Sequence, residues 1–431
     1  MKPEGLADRV AQGVAIGATL ILPLFLLYGR SAAEGMIALV DLCFLFRCAY
    51  QGEWAWLGSP WFRVGLGWWG WLVVCSLPFP PFADNGLHPF GEALAVLRFL
   101  VFIAALEHVV LAGPAARRWL SRILAAAFLW IGIESLQQYI TGHNIFGHPV
   151  NGDGELTGPF DKPRAGPPFS RLLFPVALPP VARLLARPGF GLRALGVVLM
   201  LVAVAVQVLI GQRMPLLLVG LGLFVTFLLM RRLRMLVTVA AVAALALVGA
   251  AAVVRPDAYY RLVDKFSRQM DHFRASPYGE LYERATVMAV DNPLLGLGYD
   301  GFRDHCLQPR YAHDITFLFT GHNRKSYVLD NRNACNEHPH NFYFQAVTDA
   351  GVPGLLLYAA LALCWLVALG RGLGRDADPT RVGLFVAAFI FLWPLASTSS
   401  YLDMPMSGWS FLLIGWGLAE ARAARQPARA R

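Results

Sequence analysis

Charge is scarce in this chain. Only 15% of its 431 residues are charged, against roughly a quarter in an ordinary soluble domain. That deficit argues against a soluble enzyme, a disordered chain and a nucleic-acid binder. Cysteine is scarce as well: six residues are too few for a disulfide scaffold. No internal repeat relates the two halves, whereas inverted repeats mark many secondary transporters. The start, Met1-Lys2-Pro3-Glu4, leads into apolar sequence without a small-residue cleavage site, the pattern expected of a retained first helix rather than a signal peptide.

Apolar length is what the chain has in excess. Hydrophobic residues make up 56% of it, and the mean hydropathy is +0.50. A membrane-spanning helix needs about 20 mostly apolar residues. Candidate spans lie near 10–29, 33–50, 63–79, 92–112, 119–140, 169–186, 192–211, 214–230, 235–254, 353–370, 380–398 and 407–423. The expected fold is therefore an all-α integral membrane protein of about twelve transmembrane helices. Nine spans form an N-terminal bundle over 1–254, a large helical loop occupies 255–338, and a short helix plus three spans fill 339–431.

Arginine sets the orientation, because Lys and Arg collect on the cytoplasmic side. Alternate loops hold Arg117, Arg118 and Arg122; Arg183, Arg187 and Arg193; Arg231, Arg232 and Arg234; Arg371, Arg375 and Arg381; and Arg422, Arg425, Arg429 and Arg431. The long loop 255–338 falls on the other face and is neutral, with 11 basic and 11 acidic residues. Segments 80–91, 141–168, 211–213, 255–338 and 399–406 should face outward. Eight of the ten histidines lie in those segments, and His340 stands two residues beyond the long one. Apolar spans exclude histidine, which accounts for most of this bias. Asp41 and Glu134 lie inside spans. They read either as ion-path candidates or as acids satisfied by a neighbouring span.

The outward loop carries the chemistry. Residues 259–274 place Leu262, Phe266, Met270 and Phe273 on one helical face, as a helix lying on the membrane surface or covering the protein would. A second helix is expected over about 279–291, mostly buried, with Arg284 among its apolar residues. A buried arginine needs an anion; a salt bridge to Glu280 or Glu283 is the structural alternative to a substrate anion. Asn292-Pro293-Leu294-Leu295-Gly296-Leu297-Gly298-Tyr299 follows. Its two glycines permit a tight turn or a close approach and are weak evidence for phosphate binding. In Glu337-His338-Pro339-His340-Asn341, Pro339 suits the first turn of a helix and Gly351 its C-terminal cap. The spacing predicts a short helix over 339–350, with both histidines at its N-terminus. The positive dipole end there disfavours the imidazolium, and a neutral imidazole suits a general base. Capping or hydrogen bonding is the alternative role for that pair. Cys335, His338 and His340 are close in sequence, but their spacing fits no closed zinc pattern.

At this point the chain resembles the O-antigen ligase and polymerase superfamily of bacterial envelope glycosyltransferases. The motif is His340-Asn341, nine residues, Gly351, two residues, Gly354. Arg284 followed by Asn-Pro-Leu-Leu-Gly-x-Gly looks like a second block. Arg213, in Gly211-Gln212-Arg213, looks like a third, although members often carry a small hydroxyl residue where Gln212 stands. The resemblance implies a GT-C-like, multi-pass protein of the bacterial inner membrane with its active site facing the periplasm. It further implies transfer of O-antigen glycan from undecaprenyl diphosphate to the lipid A–core oligosaccharide, in lipopolysaccharide maturation. O-antigen polymerase and protein O-oligosaccharyltransferase share these blocks and remain alternatives; a transporter is the alternative outside the class.

The expected partners are the lipid-linked donor, the lipid A–core acceptor and membrane lipids, with no nucleic acid and no cofactor or metal. His340 is the expected base, with His338 beside it. Arg284 and Arg213 would neutralise the leaving diphosphate, and displacement by one base would invert the anomeric centre. Arg164, Arg171, Asn341 and Tyr299 are the expected substrate-binding residues. Membrane-surface anchoring is the alternative role for Arg164 and Arg171. Cys306 and Cys335 are the two cysteines in outward segments. In an oxidising compartment they can bridge; two free thiols are the alternative.

Overall fold

A computed structural model describes residues 5–83, 86–152, 154–254, 256–311, 320–321, 335, 338–374, 377–397 and 399–425. His313, His322, Arg375, Arg429 and Arg431, and most of 312–334, lie outside the described residues. Among the described residues the regular structure is helical, and one isolated bridge, His143 to Pro149, is the only extended pairing.

The helices follow the apolar stretches. They are α1 (Leu6–Tyr28), α2 (Arg30–Gln51), α3 (Pro60–Cys75), α4 (Leu87–Ala95), α5 (Leu97–Ala105) and α6 (Pro114–Thr141). Next come α7 (Gly166–Ala186), α8 (Phe190–Ile210), α9 (Arg213–Leu229) and α10 (Arg234–Val254). The loop contributes α11 (Pro256–Tyr259), α12 (Lys265–Asp271), α13 (Pro277–Asp291) and α14 (Gly301–His305). The chain ends in α15 (Phe342–Gly370), α16 (Pro379–Phe391) and α17 (Met406–Arg425).

Each of the twelve expected spans falls on a helix, but among the described residues seven stretches are long and apolar enough to cross a membrane by length and composition. These are α1, the α4–α5 stretch Leu87–Val110, α6, α7, α8, the stretch Arg231–Val254 and α15. α9 and α16 are apolar but shorter, and α3 has 16 residues. α2 carries Arg30, Glu34, Asp41 and Arg47, and α17 ends in Glu420, Arg422 and Arg425. Charge is held internally where it occurs. Arg47 pairs with the buried Asp8 at 2.9 Å, and Glu134 accepts from the Ile145 backbone N–H at 3.0 Å. The latter is the satisfied-acid reading, supplied by a loop rather than a neighbouring span. The Asp41 carboxylate is buried and makes no hydrogen bond among the described residues.

One apolar core runs through the bundle, from Leu22 and Ile37 to Phe174, Trp365 and Trp416. A second, smaller core lies in the loop: Leu281, Ala285, Val287, Met288, Phe302, Cys306 and Tyr311. The Cys306–Cys335 disulfide closes it, with Cα atoms 5.6 Å apart. Of the two states open to these cysteines, the bridged one is therefore observed.

Two expected loop helices differ in detail. The amphipathic stretch 259–274 is not one helix. A π turn over Tyr260–Asp264 and a three-residue turn over Phe273–Ala275 interrupt it. Arg261 lies in the π turn, is 3% exposed and donates from Nε to the Gly211 carbonyl at 3.1 Å. Met270 and Phe273 keep exposed apolar surface. The second helix, α13, begins at Pro277, two residues earlier than expected, because the Ser276 hydroxyl caps it by accepting from the Gly279 N–H at 3.1 Å.

Candidate active site

The short helix before the last spans begins later than Pro339. Asn341 is its N-cap: Oδ1 accepts from the Tyr343 and Phe344 backbone N–H groups at 2.9 and 3.1 Å. The other end of the amide donates to the Pro394 and Ala396 carbonyls at 2.7 and 3.2 Å. Both ends of Asn341 are thus held by protein, where sequence assigns it to substrate. Pro339 is left in the approach, and His340 takes a left-handed backbone, φ 51°, a conformation uncommon for a side-chain-bearing residue. The two histidines precede the helix instead of opening it.

The break expected at Gly351 is present. Ala350 and Gly351 leave helical geometry, with Gly351 at φ 65°. Against this break rests the Asn-Pro-Leu-Leu-Gly-x-Gly segment. Leu297 and Gly298 N–H groups donate to the Thr348 and Asp349 carbonyls at 2.8 and 2.9 Å, and Val352 N–H to Pro293 at 2.7 Å. A Cβ on Gly351 would stand 2.3 Å from the Leu294 carbonyl oxygen, and one on Gly296 2.5 Å from the Ala350 nitrogen. The glycines of the two sequence blocks therefore let two backbones meet. They cradle protein, and this replaces the phosphate reading of Gly296 and Gly298.

His338 is buried, and among the described residues neither ring nitrogen has a hydrogen-bond partner. Loss of hydration pushes its pKa from 6.5 down to about 3, with smaller contributions from His340 and Arg303. Its ring meets that of His340 edge to face, centroids 4.5 Å apart, and His340 in turn meets Tyr278 of α13 at 5.8 Å. Tyr282, one turn on, stacks on Phe344 at 4.9 Å. α13 thereby lies along the start of α15 and is held beside the histidines.

His338 lines a cleft of about 640 Å³. Its other walls include Tyr28 to Arg30, Phe146 and His148, Pro159 to Pro168, and Asp403 to Met406. All are at one end of the helix bundle. Arg164 stands in this cleft, and so does Arg30, which pairs with Asp403 at 3.6 Å. Arg30, His148, Asp161 and Asp403 were not singled out from sequence. They carry no motif, and His148 alone gave a signal, as one of the outward histidines.

The remaining expected residues are dispersed. Arg284 is buried on α13 and donates from Nη1 to the Tyr311 carbonyl at 2.6 Å. Arg213 opens α9 and donates to the Gln269 side-chain oxygen on α12. Its neighbour Gln212 joins the α8–α9 turn to the other loop, accepting from Gly166 N–H at 3.0 Å and donating to Pro163. Tyr299 lines a separate polar depression of about 530 Å³ with His88, Asp300, Arg303, Asp304, His305 and Gln308. Burial and the nearby Asp300 raise its hydroxyl pKa. Arg171 is buried in the second turn of α7. Among the described residues no three His, Cys, Asp or Glu side chains group as metal ligands.

Residues 195–359 match the family described as O-antigen ligase. The match spans less than half of the chain, from α8 into α15. It holds Arg213, Arg284, Tyr299, His338, His340 and Asn341, and stops short of Arg164 and Arg171. No curated protein matches the chain.

Proposed function

We propose that this protein is an O-antigen ligase of the inner membrane, multi-pass and open to the periplasm through the His338 cleft. It would move O-antigen glycan from undecaprenyl diphosphate to a hydroxyl of the lipid A–core oligosaccharide. The observation that carries this reading is that the family match and the cleft meet at His338, whose ring packs on that of His340.

The acceptor hydroxyl must lose a proton as it attacks the anomeric carbon. His340 is assigned as the base, because it lies in the matched signature and stays partly exposed while His338 is buried. The neutrality of His338 serves this assignment. Two imidazoles this close cannot both charge readily, and the buried one stays neutral, so the proton goes to His340. Attack opposite the leaving group, with one base, inverts the anomeric centre. The leaving diphosphate gains charge as the bond breaks. Arg284 and Arg213 are assigned to neutralise it, since a guanidinium stays charged at any working pH and pairs bidentately with phosphate. Arg284 donates to the Tyr311 carbonyl and Arg213 to the Gln269 side chain, so in this assignment each exchanges that partner for the donor's phosphates. Arg164 already stands in the cleft.

The test is purified protein with undecaprenyl-diphosphate glycan and two acceptors in parallel, lipid A–core and a second carrier-linked glycan. Transfer to lipid A–core alone supports the ligase. Transfer to the carrier-linked glycan alone makes the protein a polymerase, and no transfer to either refutes the reading.

A further inference from the structure

Arg171 is a buried cation without an anion. It is 4% exposed, and no carboxylate lies within ion-pair distance of it among the described residues. Its Nη1 donates to the Met406 sulfur at 2.6 Å, a weak acceptor. The guanidinium carbon stands 5.7 Å from the centre of the Phe391 ring, a modest cation–π attraction. Among the described residues the guanidinium's partners are thus a thioether and a ring. An unpaired buried charge is costly and is retained where it has a functional partner.

The direction of that partner is given by Met406. Met406 opens α17 and, with Met404 and Pro405, lines the cleft, opposite Pro167 and Pro168 at the start of α7. One methionine side chain therefore separates the guanidinium from the cleft that holds Arg164. Methionine is unbranched and flexible, so it can swing aside without moving either helix.

We infer that Arg171, uncovered by Met406 and joined by Arg164, forms the subsite for a diphosphate anion in the cleft. This rests on the reading above that the cleft takes a lipid-linked diphosphate, and it names the atoms that take it. The planar guanidinium offers two parallel N–H donors to one phosphoryl group. Binding would supply Arg171 with a counter-charge.

The test uses the full chain in nanodiscs and reads binding without turnover. Undecaprenyl diphosphate is titrated into wild type, Arg171→Met and Arg171→Lys, with thermal unfolding recorded with and without ligand. Arg171→Met should unfold no lower than wild type without ligand, because it removes an unpaired buried charge. Its affinity should fall at least tenfold, and that of Arg171→Lys nearly as far. Wild-type affinity in Arg171→Met overturns the proposal; should the methionine variant not fold, wild-type affinity in Arg171→Lys overturns it instead. Competition separates the sources of the anion. Displacement by inorganic diphosphate supports the site, whereas equal displacement by phosphatidylglycerol makes it a bulk-lipid contact and overturns it. Glycan transfer is measured in the same samples. Normal transfer by Arg171→Met removes this subsite and leaves the ligase reading. Arg171-dependent binding in a wild type that transfers nothing removes the ligase reading and leaves the subsite.

Discussion

The His338 ring meets the His340 ring edge to face, 4.5 Å between centroids, and it is the buried member that lines the cleft. That burial has a pH signature. The His338 pKa is about 3 in the folded chain against an ordinary 6.5. Between those values the unfolded chain binds more protons, so stability rises with pH across the window. It is complete above about 6.5 and declines below it, by about 2 kcal/mol at pH 5. His338→Gln should flatten this slope. Melting temperatures in detergent from pH 7 to 5 check it; an equally steep decline in the variant would contradict the assignment.

The junction between the two sequence blocks should tolerate no side chain. Gly351→Ala puts a Cβ 2.3 Å from the Leu294 oxygen at φ 65°, and should cost about 2 kcal/mol or more. Gly91→Ala, on α4 with open space around it, is the control and should leave stability within about 0.5 kcal/mol. Equal thermal unfolding of the two variants would refute the interlock.

The disulfide ties 29 residues of loop. Opening it should cost roughly 3 kcal/mol by chain entropy. Non-reducing mass spectrometry of the purified protein should find Cys306 and Cys335 linked, and Cys306→Ser should unfold at lower temperature. Two free thiols in protein isolated without reductant would be the contrary result.

Fixed positive charge, not a divalent cation, is assigned to the leaving group. Transfer should therefore persist in excess EDTA. Arg284→Lys should fail nearly as badly as Arg284→Ala, because an ammonium cannot form the bidentate contact. Activity lost in EDTA and restored by magnesium or manganese would sink this mechanism and turn attention to Asp300 and Asp304.

What sequence made legible follows from what is local. Apolar length located every helix of the bundle, and a glycine that needs a left-handed backbone marked the break at Gly351. The start of that helix was misplaced because two local rules compete there. Pro339 suits a first turn, but the Asn341 side chain caps from two residues further on. Arg261 belongs to the polar face by periodicity and is instead drawn inward by the Gly211 carbonyl, which lies 50 residues away in sequence. The cleft was least legible of all. Its walls come from the α1–α2 turn, the loop before α7, His338 and the approach to α17, and no spacing within one segment encodes their meeting.

Orientation is checked separately. Gly321→Cys, in the large loop, should react with an impermeant thiol reagent in intact spheroplasts. Pro188→Cys, between α7 and α8 among arginines, should be protected until the membrane is opened. The reverse pattern would invert the topology and place the cleft in the cytoplasm.

Whether an imidazole of this pair deprotonates the acceptor for glycan transfer is decided by one rate measurement. Single-turnover transfer from undecaprenyl-diphosphate glycan to lipid A–core is compared in wild type, His340→Ala and His338→Ala, each shown by melting to be folded. The expected result is transfer by wild type, none detectable with His340→Ala, and a reduced but measurable rate with His338→Ala. Near-wild-type transfer by both variants would contradict the assignment of a histidine base; loss confined to His338→Ala would move the base to the buried ring.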